Sequence, residues 1–226
     1  MIATEPTKQA SQLGGAFLPD ENARRLSVLQ YVETVTMRTM AGWIARVPEL
    51  DVKIELARQV AFAAERADAL GKRVAQLLWP DERDVLLHPQ VVQLLRDVDE
   101  SHDTVSLVAG LGAVVLPNLG RAYQAHAAAT DPITDAPTVR LLKRLEDDVR
   151  AAGEWFSQGA ATLVEDPLAV PGVQRSLVDR FAKAGGAWFG RPPGDAGVSL
   201  HGELRRGPAG TGARVDGLAR DARFRD

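Results

Sequence analysis

The segment from Pro48 to Leu78, PELDVKIELARQVAFAAERADALGKRVAQLL, places apolar residues at Val52, Leu56, Val60, Ala63, Ala67, Leu70, Val74 and Leu77. Steps of three and four are the period of one α-helical face, so this stretch predicts a long helix with a defined core side. Gln59, Phe62 and Arg66 follow the same spacing one position off the stripe, which sets polar groups at the edge of the core. Glu65 and Asp68 flank them. A buried guanidinium is unfavourable unless paired, so an inward Arg66 requires an acidic partner or an anionic ligand.

The same period recurs on both sides of this helix. Pro19-Asp20 starts a helix to about Arg46, with Asp20 as N-cap and Leu26, Leu29, Met37, Met40 and Ile44 as its stripe. Glu33 falls on that stripe. An acid four residues from apolar neighbours on either side is a candidate proton donor or acceptor. Val47-Pro48 then makes a tight turn into the second helix. After turns at Trp79-Pro80-Asp81 and His88-Pro89, a short helix runs from Gln90 to Val98 as a connection. A third long helix is expected from about Glu100 to Ala129, kinked at Pro117, with Leu107, Leu111, Val114 and Asn118 facing inward. Extending that spacing backward adds Asp103 and Glu100. The kink leaves two placements open for Tyr123 and His126, lining the bundle end or lying outside it. Asp131-Pro132 and Asp135-Ala136-Pro137 precede a fourth long helix to about Val164, capped by Asp135 or Thr134, with an inner stripe of Val139, Leu142, Leu145, Val149, Ala152 and Phe156.

A shorter helix, Gln174 to Ala184, packs across an end. From Gly185 the composition changes: half of the 20 glycines lie there, along with seven arginines. Such a segment orders only when laid over a partner or over its own bundle, with Trp188, Phe189 and Phe224 as anchors. The organisation expected is an arm at 1–18, an all-α helical domain at 19–184, and an extended tail at 185–226.

Composition removes several function classes. There is no cysteine, hence no disulfide, thiolate ligand or cysteine nucleophile. The formal charge is −3 and no basic helix is interleaved with aromatics, which disfavours nucleic acid. No apolar run approaches roughly 18 residues and no signal-peptide pattern opens the chain, so no membrane and a cytoplasmic location are expected. GPAGTG, residues 207–212, lacks the lysine and the strand context of a phosphate loop, and no serine sits in a Gly-x-Ser-x-Gly turn.

Four long helices in two hairpins, with a connection between the halves, form the architecture of ferritin-like bundles. The segments TDPITDAPTVRLL and LARQVAFAAERADAL are similar to stretches of a ferritin-like group found in actinobacteria, over roughly residues 20–165. The resemblance implies a ferritin-like four-helix bundle whose metals would be held by inward carboxylates on two helices and a Glu-x-x-His motif on each of the others. This chain has no Glu-x-x-His. It carries Gln59, Phe62 and Arg66 where the second helix of a metal-binding relative would hold His or Glu, and its fourth helix has no His.

No metal and no cofactor are therefore expected. Glu33 and Asp103 are the catalytic candidates, with Gln59, Arg66 and Tyr123 binding substrate. The corresponding function is a metal-independent enzyme of secondary metabolism performing elimination, displacement or ring closure on a small anionic polar metabolite. Two alternatives stand beside it. One is a non-catalytic ferritin-like subunit of a biosynthetic enzyme complex, forming homo- or hetero-oligomers through the C-terminal tail. The other is a di-metal oxygenase with an unusual ligand set drawn from Glu33, Glu100, Asp103 and His102 or His126.

Overall fold

A computed structural model describes residues 17–77, 85–163, 169–183, 188–189, 197–200 and 202–203. Among these are six helices: α1 Pro19–Trp43, α2 Leu50–Gln76, α3 Pro89–Asp99, α4 Thr104–Ala129, α5 Ala136–Leu163 and α6 Ala169–Lys183. Two-residue strands β1 (Leu86–Leu87) and β2 (Val198–Ser199) pair antiparallel. The arm before Phe17, the turns at Trp79-Pro80-Asp81 and Asp166-Pro167, GPAGTG and Phe224 lie outside the described residues.

The short connections 44–49 and 130–135 fold α1 against α2 and α4 against α5 as two helical hairpins. Their inner rows close on one another through Leu26, Leu29 and Val32 of α1, Leu56, Ala63 and Leu70 of α2, Leu107, Val114 and Leu119 of α4, and Leu142, Val149 and Phe156 of α5, all buried. Pro19 takes the first helical position of α1, so its N-cap is Leu18. Asp20, expected in that role, instead lies in the first turn with Glu21, where the helix dipole favours acids. Asp135 does cap α5, accepting from Thr138 N at 3.2 Å.

The helix expected from Glu100 to Ala129 starts four residues later, at Thr104. Just before Pro117 it widens into a π turn, Leu111–Val115, closed by the Leu116 N–H on the Leu111 carbonyl. Pro117 has no N–H, so the Gly112 carbonyl has no donor five residues on. Ser157 of α5 supplies one, its hydroxyl donating to Gly112 O at 2.7 Å. That contact needs glycine, because a Cβ at 112 would lie 2.5 Å from Ser157 N. The extra residue in the turn rotates everything beyond it. Asn118 leaves the inner row and donates to the Val114 carbonyl, while Leu119, Tyr123 and His126 turn into the core. By length and composition α4 is apolar enough to cross a membrane, but 67% of its most apolar stretch is buried inside the chain, as in a core helix.

α6 lies across α3 and the first half of α4, with Leu177 and Phe181 inward. The described tail residues cover the same chain. Trp188 is buried against Phe181, β2 is added to β1, and Glu203 pairs with Arg96.

Candidate functional site

Three of the five predicted site residues meet at the middle of the bundle. Glu33 of α1 is fully buried, and Arg66 of α2, only 2% exposed, donates to both its oxygens, from Nε at 2.6 Å and Nη2 at 3.0 Å. The Tyr123 hydroxyl of α4 donates to Glu33 Oε1 at 2.6 Å. Charge-assisted bidentate pairing is the arrangement in which a buried guanidinium and carboxylate offset most of their desolvation. Burial is the largest influence on Arg66 and opposes its charge, but the charge and hydrogen bonds of Glu33 outweigh it, so its pKa is raised. Burial, followed by the charge and hydrogen bond of Glu33, pushes the Tyr123 hydroxyl well above its ordinary value, fixing it as a donor. Arg66 Nη1 is buried without a hydrogen-bond partner.

The other two stand apart. Gln59 is buried two turns from Arg66 along α2 and donates to Glu55 Oε1 at 2.8 Å; Glu55 also pairs with Arg58. Both line a groove of about 390 Å³ between α2 and α5, together with Phe62, Glu65, Asp148 and Trp155. Phe62 is 43% exposed and so belongs to this outer surface. Asp103, expected to face the centre, is an exposed N-cap of α4 that accepts from Ser106 N at 2.7 Å. The backward extension fails because residues 100–103 are a non-helical link, and Glu100 and His102 are exposed within it.

A second polar cluster joins the helices at one end. His126 is buried, with Nε2 2.5 Å from Asn22 Oδ1, and Asn22 donates to Asp135 Oδ2 at 2.5 Å. Arg73 donates to Asp135 Oδ1 at 2.6 Å and to Thr138 Oγ1 at 2.7 Å. The His126 ring lies 5.2 Å from that of Phe17 and 5.9 Å from that of Phe189, with the Arg25 guanidinium against both phenyl rings. Burial, and then the charge of Arg25, lowers its pKa to about 4. Sequence reasoning missed Glu55, Asn22, Arg73 and Thr138. Only Glu55 left a signal, at four residues before Gln59 on the same edge of α2.

Among the described residues no group of three or more His, Asp or Glu side chains is placed to hold a metal. The central donor set also does not fit the ferritin-like pair of metals. It offers one carboxylate, both of whose oxygens a guanidinium already engages. Neither the α2–α5 groove nor a larger one between α4 and α5 is lined by Glu33, Arg66 or Tyr123. The chain matches no protein-family model, no curated protein and no solved structure.

Proposed function

We propose that this chain is a ferritin-like bundle whose metal centre has been replaced by the Glu33–Arg66–Tyr123 cluster, and that it serves as a non-catalytic subunit of a biosynthetic enzyme complex. The observation that carries this reading is the enclosure of Glu33 by Arg66 and Tyr123. Fully buried, with both oxygens engaged by Arg66 and Oε1 also by Tyr123, it lines neither the α2–α5 nor the α4–α5 groove. Such a cluster stabilises and specifies a core. The test is co-purification of the tagged chain with the products of neighbouring genes, followed by assay of the complex carrying Glu33→Leu with Arg66→Met and Tyr123→Phe, which leaves no buried hydroxyl unpaired. An apolar pair of similar volume often replaces a buried ion pair at little cost. The variant is expected to support the complex and its turnover as wild type does. Intact complex with turnover abolished would overturn the reading.

A second reading, an enzyme acting on a small polar metabolite, is favoured by the placement of Gln59. With Glu55, Glu65 and Asp148 it lines the α2–α5 groove, where three carboxylates stand beside the single cation Arg58 and Trp155 supplies an aromatic wall. That balance suits a substrate with a protonated amine or guanidinium. The anionic substrate expected from Arg66 loses its basis, because Glu33 already neutralises the guanidinium. Calorimetric titration with polyamines and amino-acid amides decides this: no heat with any of them, in wild type or Gln59→Ala, removes the reading.

A further inference from the structure

Arg121 is the only residue of α4 with a fixed charge. The helix nevertheless has a face turned away from its own chain, where Arg121, Gln124, Ala125 and Ala128 are exposed and Pro117 is half-buried. That face carries Arg121 and Gln124, so it is a polar ridge on an otherwise apolar helix. Beside that face runs a groove of about 610 Å³ between α4 and α5, floored by Leu116, Pro117, Gly120, Val149 and Gly153, with Glu146 and Glu154 along its α5 wall. The two glycines on the floor are not required by the chain's own packing. A Cβ at Gly120 would lie 3.8 Å from Val149 and one at Gly153 would lie 3.5 Å from Leu116, both ordinary contacts, whereas Gly112 has no such room. Bare backbone at both positions leaves depth for something from outside.

We propose that this face is the interface between two copies of the chain, the outer ridge of α4 in each copy entering the α4–α5 groove of the other. The charges favour this occupant. Within the chain Arg150 is already engaged by Asp147 and Glu154, while Arg121 and Glu146 line the same groove with opposite charge, so a two-fold axis brings Arg121 of one copy to Glu146 of the second. A lipid surface would instead force those carboxylates into hydrocarbon. The described tail residues, which cover their own bundle, have no part in the contact.

Sedimentation velocity of the full chain over a concentration series tests this. A reversible dimer is expected. Because Arg121 is exposed, Arg121→Glu keeps the helical circular dichroism and thermal midpoint of wild type while weakening the dimer by about tenfold or more. Glu146→Arg alone weakens it similarly, and the two together restore it. Gly153→Trp closes the groove and abolishes the dimer in a folded chain. A monomer at every concentration, including one that binds anionic phospholipid vesicles, would overturn the proposal, as would a dimer indifferent to Arg121→Glu. The dimer is independent of the reading of the bundle centre, since Glu33→Leu with Arg66→Met leaves this face untouched.

Discussion

At Glu33 a carboxylate and a guanidinium are held together away from water, so removing one partner leaves the other charge uncompensated. Glu33→Gln is expected to cost about 3–5 kcal/mol in urea unfolding, against about 1.5–3 kcal/mol for Tyr123→Phe, which removes one charge-assisted bond and leaves the ion pair. Replacing both charged residues by Leu and Met, with Tyr123→Phe so that no buried hydroxyl is left unpaired, is expected to recover most of the loss. Equal losses for Glu33→Gln and for the apolar triple variant would show that the pair is not the source. His126 gives a different signature. Its pKa is about 4 in the folded chain and near 6.5 when unfolded. Between those values the unfolded state binds the extra proton, so stability is full above about pH 6.5 and falls as the pH drops toward 4, by about 3 kcal/mol in all. Thermal melts across that window are expected to lose this part of their slope in His126→Leu.

The element with the most unusual construction is α4, whose π turn, Pro117, Gly112 and Ser157 form one device. Gly112→Ala drives a Cβ into the backbone of α5 and is expected to cost about 1–3 kcal/mol through strain. Gly120→Ala, with room for its methyl group, is expected to stabilise the helix by about 0.5–1 kcal/mol. Urea unfolding of the two variants should therefore move in opposite directions, and two losses of equal size would refute the packing argument. The same device marks where sequence reading stops. The row of α2 was legible because an uninterrupted α-helix keeps its period over 27 residues, so Arg66 and Gln59 lay where the spacing put them. Glu33 was legible for the same reason. On α4 the regular period predicted Asn118 inward, and one additional residue in the π turn moved that place to Leu119, bringing Tyr123 and His126 with it. Asp103 was misplaced because periodicity was extended through a link that is not helical, where a short acid caps a helix. The pairing partners of Asp135 were hidden because they depend on where two hairpins meet.

Asp135 is where the whole molecule is tied. It caps α5, accepts from Asn22 of α1 and from Arg73 of α2, and through Asn22 is linked to His126 of α4. All four long helices thus converge on one half-buried carboxylate at one end of the bundle, while Glu33 joins three of them at the middle. The two polar fastenings share no residue, so each stabilises its own part of the bundle while the interdigitated apolar rows hold the register. The expectation is energetic independence of the fastenings and strong coupling within each. In double-mutant cycles read by urea unfolding, Asp135→Ala and Arg73→Ala share a direct ion pair and should couple by about 0.5–3 kcal/mol. Asp135→Ala and Glu33→Gln share no partner and should add within about 0.5 kcal/mol. Strong coupling in the second cycle would mean that the hairpins shift as rigid bodies when either fastening is cut, with the apolar core yielding to the polar groups. Additivity would mean that the core holds the register and each cluster stabilises only its own end.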